Sequence, residues 1–175
     1  EVTEGVTRIV LGGKQDPLEG VMLPEGVTAL TEAELDHHLG QSLEHCGCSQ
    51  AWPVELNHAH SQQLLALRIR GKVTPLELVL ATGVGLAATR VLLLLESDAD
   101  LELLQVFPAE SSSPDLQRAH SHVLEAHLGR GANLRHGVLA SGCGDASLMV
   151  HLAIEQEPGS HYGLTSVCRG WRFGR

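Results

Sequence analysis

Shifting the chain by 33 residues lays Val91 on Leu124, Leu95 on Leu128, Ala99 on Ala132, Asp100 on Asn133, Leu101 on Leu134 and Val106 on Leu139. A strand, a turn and a second strand therefore recur with their apolar positions in register. A two-strand unit of this size cannot bury its own inner face. Stacked units can, each pairing with the next at about 4.8 Å along the stack. Leu76-Glu77-Leu78-Val79 is a further relative, matching Leu101-Glu102-Leu103-Leu104 at the shorter spacing of 25. The turns agree, because Ser97-Asp98-Ala99-Asp100 and Arg130-Gly131-Ala132-Asn133 bring small or turn-forming residues to equivalent corners. The repeat predicts a mainly β chain wound as a parallel β-helix, a solenoid, with a β-sandwich as the rival architecture.

Strand patterns fill the second part of the chain, over Leu64–Arg70, Leu76–Ala81, Thr89–Glu96, Leu101–Phe107, Ala119–Leu128, Leu134–Ala140, Ser147–Glu155 and His161–Val167. Glycines and prolines punctuate the joints. The first part differs: β-branched runs at Val6–Leu11 and Val27–Leu30 precede a capping-box pattern, Thr31-Glu32-Ala33-Glu34. Leu35, Leu39 and Leu43 then give a helix an apolar stripe at four-residue spacing, predicting one helix that ends near Cys46-Gly47-Cys48. A short polar helix or turn follows over Val54–Gln63. The expected division is residues 1–63, strands and a short helical segment, and residues 64–175, the β-helix core, cut short at its C-terminal end.

Apolar residues make up 43% of the chain but aromatics only 3%, so the core must be built from Leu, Val and Ala, which suit regular layers. The net charge of -9, with no cluster of Lys and Arg, argues against nucleic acid as a partner. Nor is a membrane span expected, since the longest apolar run, Val91–Leu95, falls far short of the ~20 residues needed. Four cysteines, unevenly spread, fit a reducing compartment. A chain that starts at Glu1 without Met reads as a piece of a longer, soluble intracellular protein.

Several histidine, cysteine, glycine and serine patterns bear on chemistry. His120 and His122 alternate in a strand pattern and so share one face, a spacing that can chelate Zn or Cu; the plainer reading is a polar outer face. His58 and His60 form a weaker pair. Cys46-Gly47-Cys48 places two thiols near a helix end without the second pair of a structural zinc site. Cys143 falls in a glycine turn, and Cys168 reads as a small buried hydrophobe. Gly83-Val84-Gly85 lacks the rest of a nucleotide-binding fingerprint, and Ser141 and Ser111-Ser112-Ser113 lack a nucleophile elbow. Residues 109–115 read as a solvated loop. No residue is assigned a catalytic, cofactor-binding or metal role.

A set of segments in fixed order carries a family resemblance. They are Leu23-Pro24-Glu25-Gly26-Val27, Leu56-Asn57-His58-Ala59, Thr74-Pro75-Leu76-Glu77-Leu78, Arg90–Leu95 with Ala99-Asp100-Leu101, Leu128–His136, and Ser160-His161-Tyr162 through Ser166, Gly170 and Arg175. Together they resemble the SufB/SufD family of iron-sulfur cluster assembly, on its SufD side, because no cysteine-rich segment of the SufB type occurs. Trp171 after Gly170, and His58 and His60, depart from that pattern.

The resemblance implies a right-handed parallel β-helix flanked by helices, and a scaffold subunit without catalytic activity of its own. It further implies a SufB-like partner and a SufC-like ATPase, the latter engaged through C-terminal helices outside this sequence. Within such a complex the iron-sulfur cluster is assembled transiently, with no cofactor tightly bound to this segment, in the cytoplasm or a plastid stroma. The unpaired edge of the last coil is expected to drive self-association. The alternative is a cupin-like or other β-helical metal-dependent enzyme using the histidines.

Overall fold

The computed structural model describes residues 5–13, 16–61, 63–81, 85–108, 118–142, 144 and 146–174. The chain is mainly β. Its strands are β1 (Thr7–Leu11), β2 (Val27–Ala29), β3 (Gln63–Ile69), β4 (Leu76–Leu80), β5 (Gly85–Leu95), β6 (Asp100–Phe107), β7 (Arg118–Leu128), β8 (Asn133–Ser141), β9 (Ala146–Gln156), β10 (His161–Arg169) and β11 (Phe173–Gly174). Three short helices, α1 (Glu32–His38), α2 (Gln41–His45) and α3 (Trp52–His60), lie between β2 and β3.

Two sheets form. The first has the order β1-β4-β6-β8-β10 and the second β11-β9-β7-β5-β3-β2. From β4 onward each strand joins the sheet that its predecessor does not, and all pairings are parallel except β2 with β3. The two strands before residue 63 pair into these same sheets, β1 with β4 and β2 with β3.

The register follows the sequence repeat residue for residue. Val91 pairs with Leu124, Leu95 with Leu128, Asp100 with Asn133, Leu101 with Leu134 and Val106 with Leu139. The expected offset for the earlier unit needs correction. Leu76 pairs with Leu103 and not with Leu101. A two-residue slip keeps every side chain on its own face, which is why the apolar pattern alone did not reveal it.

Inside, one leucine-rich core joins both sheets, with Leu65, Leu67, Ile69, Val91, Leu93, Leu95, Leu124, Ala126 and Leu128 from the second facing Ile9, Leu76, Leu78, Leu101, Leu103 and Leu134 from the first. The corners stack as well. Asp98 adopts φ 60, Gly131 φ 71 and Gly159 φ 79, while Ala99 and Ala132 fill the inside of the bend at 0% exposure. A Cβ on Gly131 would stand 2.4 Å from the Asp98 carboxylate, which would have to swing aside, and it is the positive backbone angle that calls for glycine at this corner.

The uninterrupted run Val91–Leu95 is explained by burial on both faces. Val91, Leu93 and Leu95 point inward, whereas Leu92 and Leu94 pack outward against Leu30, Leu35 and Leu39. The second sheet is thus roofed by the helices. They are not the single helix expected. Leu39 leaves helical geometry, Gly40 takes φ 88, and α2 starts anew, carrying Leu43 into a separate cluster with Val54, Val123 and Ala153. At the start of α1 the Thr31 backbone N–H donates to Glu34 at 2.7 Å, as the capping box predicts. No helix among the described residues is long and apolar enough to cross a membrane.

Candidate functional site

Within the leucine-rich interior several inward positions of the central strands carry polar side chains that meet one another. Thr89 on β5 pairs with His122 on β7, so the two stack on the inner face of the second sheet, with His120 two residues before His122. Opposite them the first sheet brings Gln105 from β6, His136 from β8 and Tyr162 from β10. Thr89, Gln105, His120, His122 and His136 are all buried.

A single hydrogen-bonded chain links the six residues. Assigning donors from the Gln105 amide fixes every tautomer in turn. Gln105 Nε2 donates to His122 Nε2 at 2.8 Å, which leaves His122 Nδ1–H to donate to Thr89 Oγ1 at 2.9 Å. The Thr89 hydroxyl then points at His120 Nε2, 3.3 Å away. In the other direction His136 Nε2–H donates to Gln105 Oε1 at 3.0 Å, and the Tyr162 hydroxyl donates to His136 Nδ1 at 3.0 Å. Phe107 packs edge-on against both His120 and His122, with ring centroids 5.2 and 5.6 Å apart.

The electrostatics match this neutral assignment. Burial, reinforced by the charges that His120 and His136 would carry, holds His122 well below the usual imidazole range. Burial takes His136 down to about 4 and pushes the Tyr162 hydroxyl up to about 12. His122 and His136 are therefore neutral near pH 7, and in the chain the Nε2 of His120, both ring nitrogens of His122 and both of His136 are engaged. An amide in the middle does not pass protons between rings. What the arrangement supplies is polar register: slipping one strand against its neighbour would break several buried hydrogen bonds at once.

Outside the second sheet lies a buried ion pair. Arg90 donates to Glu125 Oε1 at 2.7 Å, and the Gly40 N–H donates to Glu125 Oε2 at 2.9 Å. The carboxylate is wholly buried. It ties the break between α1 and α2 to the sheet below. Asn57 of α3 adds a second tie, its amide donating to the Thr89 and Ser121 carbonyls at 3.1 and 3.0 Å. Nearby, Glu155 is held below the usual carboxylate range by His45 and His127, despite an opposing contribution from burial. It meets His45 at 3.1 Å and His127 at 3.5 Å.

The residues singled out from sequence are thus scattered. His120 and His122 do share a face, but it is the inner one; the expected polar outer face is corrected, because Phe107 and Thr89 enclose both rings. His58 and His60 lie exposed on α3, where a two-residue spacing turns side chains to different sides of a helix. Cys46 is exposed at the end of α2, while the partly buried Cys48 thiol donates to the Leu43 carbonyl at 3.5 Å. Burial, with the neighbouring Cys46, raises the Cys48 pKa. Cys168 is exposed and not buried as expected: it lies on an inward position of β10, the outermost strand, which nothing covers among the described residues.

Gly85 starts β5 and Ser141 ends β8. Cys143, Gly83, Val84 and Ser111-Ser112-Ser113 lie outside the described residues. Among the described residues no group of three or more His, Cys, Asp and Glu side chains is placed to hold a metal ion.

Thr89, Gln105, His136 and Tyr162 were not read as a site from the sequence. The signal was strand parity. In Leu101-Glu102-Leu103-Leu104-Gln105-Val106-Phe107 the glutamine occupies an inward position between Leu103 and Phe107, and His136 does the same between Leu134 and Val138. Comparison of the chain with protein-family models, with curated proteins and with solved structures gives no match.

Proposed function

We propose that the chain is the β-helical part of a SufD-like scaffold, wound right-handed, that works in iron-sulfur cluster assembly beside a SufB-like subunit and a SufC-like ATPase. The observation that supports this most is the alternation of successive strands between two parallel sheets in the register of the 33-residue repeat. Such a stack offers long sheet faces of the kind a scaffold needs. Among the described residues β10 is the edge strand of the first sheet, nine residues without proline or lysine, and strands of this kind recruit others. Self-association through the terminal strands follows from the same feature. Cluster chemistry belongs to the complex, with no cofactor held tightly by this segment.

Co-expression with SufB-like and SufC-like subunits tests the reading. A complex that survives purification in fixed stoichiometry is expected; isolation of the chain alone, with both candidates present and soluble, contradicts it. The rival reading, a cupin-like or other β-helical metal-dependent enzyme, draws on His120, His122 and His136 lying inside the body. Metal analysis separates the two. A stoichiometric divalent ion lost in His122→Gln and His136→Gln variants would carry the enzyme reading instead.

A further inference from the structure

Outward positions of the first sheet line up into an aliphatic ladder. Val10 pairs with Val79, Val79 with Val106, Val106 with Leu139 and Leu139 with Val167, one residue from each of the five strands. At about 4.8 Å per strand the row extends about 19 Å. Val10, Leu139 and Val167 are 49%, 41% and 52% exposed. Beside them runs a groove of about 620 Å³, where Leu104 stands next to Gly137 and the space above Gly163 is open. The second sheet treats its own outer aliphatics differently: Leu92, Leu94, Val123 and Ala153 are buried under the helices. Among the described residues no element lies over the first sheet.

We propose that this face is a homotypic docking surface, on which a second copy of the chain packs face to face. The ladder is its own complement. It is centred on β6, the middle strand, so a two-fold axis parallel to the strands and passing Val106 sets Val106 on its counterpart, Val79 on Leu139 and Val10 on Val167. Every aliphatic then meets an aliphatic, as an isologous contact requires. The same axis sets Leu104 on its counterpart.

Charge points the same way. Copies that each carry a net charge of -9 repel except where the surface is locally balanced. Here the flanking charges are paired within the chain, Arg8 with Glu77, and Arg135 with Glu102 at 2.8 Å and Asp100 at 3.0 Å. Aligned sheet-on-sheet packing of branched aliphatic rows is the arrangement such a face fits. The surface is distinct from the β10 edge and does not depend on the scaffold reading.

Sedimentation equilibrium of the wild-type chain, of Leu139→Glu and of Val79→Lys tests the proposal, with urea midpoints as a check on folding. The wild type should dimerise, and each variant alone should dimerise at least about tenfold more weakly with an unchanged midpoint at low concentration. Because Val79 faces Leu139 across the axis, an equimolar mixture of the two variants should recover a heterodimer with one new opposite-charge contact and one native contact. A wild-type chain that stays monomeric overturns the proposal, as does a dimer indifferent to Leu139→Glu or a mixture that fails to associate. Loss of a SufB-like partner in Leu139→Glu, with self-association unchanged, would assign the face to that partner and equally overturn it.

Discussion

Acid should unfold this protein through its interior, and His136 sets the size of the effect. The unfolded chain binds a proton on this imidazole below an ordinary value of 6.5, whereas burial lowers the folded value to about 4. A folded pKa below the unfolded one means that stability is intact above about pH 6.5 and declines as the pH falls from there to the folded value. At about pH 5 the loss from His136 alone is about 2 kcal/mol, approaching about 3 kcal/mol as the pH nears the folded value. His122 is shifted in the same direction by burial and by its histidine neighbours, so it adds to the loss. Urea unfolding at a series of pH values reads the effect as a falling midpoint. The control is His136→Gln, whose amide can still donate to Gln105 and accept from Tyr162 without titrating. Its midpoint should fall distinctly less between pH 7 and 5. A wild-type midpoint that is flat over this range, or a variant with the same slope, would refute the reasoning.

Other expectations follow from single contacts. Replacing Glu125 by Ala leaves Arg90 buried without its partner and frees the Gly40 N–H, which should cost about 3–5 kcal/mol and raise hydrogen exchange across residues 39–46. Gln105→Leu deprives both His122 and His136 of a partner and should cost about 2–4 kcal/mol by chemical denaturation, although it adds apolar volume. Gly131→Ala puts a methyl at φ 71 against Asp98; a thermal melt should show a loss of at least about 1 kcal/mol, and an unchanged melting temperature would mean that the stacked corner is not formed.

Much of the strand layout was legible because apolar parity and turn residues are local. The 33-residue repeat went further and yielded the pairing of β5 with β7 and of β6 with β8, since residues that stack must be alike in volume. The 25-residue relation missed by two because Leu101 and Leu103 are both leucines on one face, and nothing in the pattern distinguishes them. The helical segment misled for a different reason. Leu35, Leu39 and Leu43 have the spacing of one stripe, yet a buried carboxylate 85 residues away takes the Gly40 N–H and splits the helix. The polar chain is a non-local feature of the same kind. His120 and His122 looked like outer-face residues until Gln105, Thr89 and Phe107 were brought around them from other strands.

Interstrand nuclear Overhauser contacts in the isotope-labelled protein address the winding itself. Leu93 should lie beside Ala126 and Ala126 beside Ile154, with parallel-strand patterns and without the close α-proton pairs of antiparallel neighbours. Antiparallel contacts within these strands, or Ala126 beside residues other than these, would contradict the stacked alternation of sheets on which the account rests.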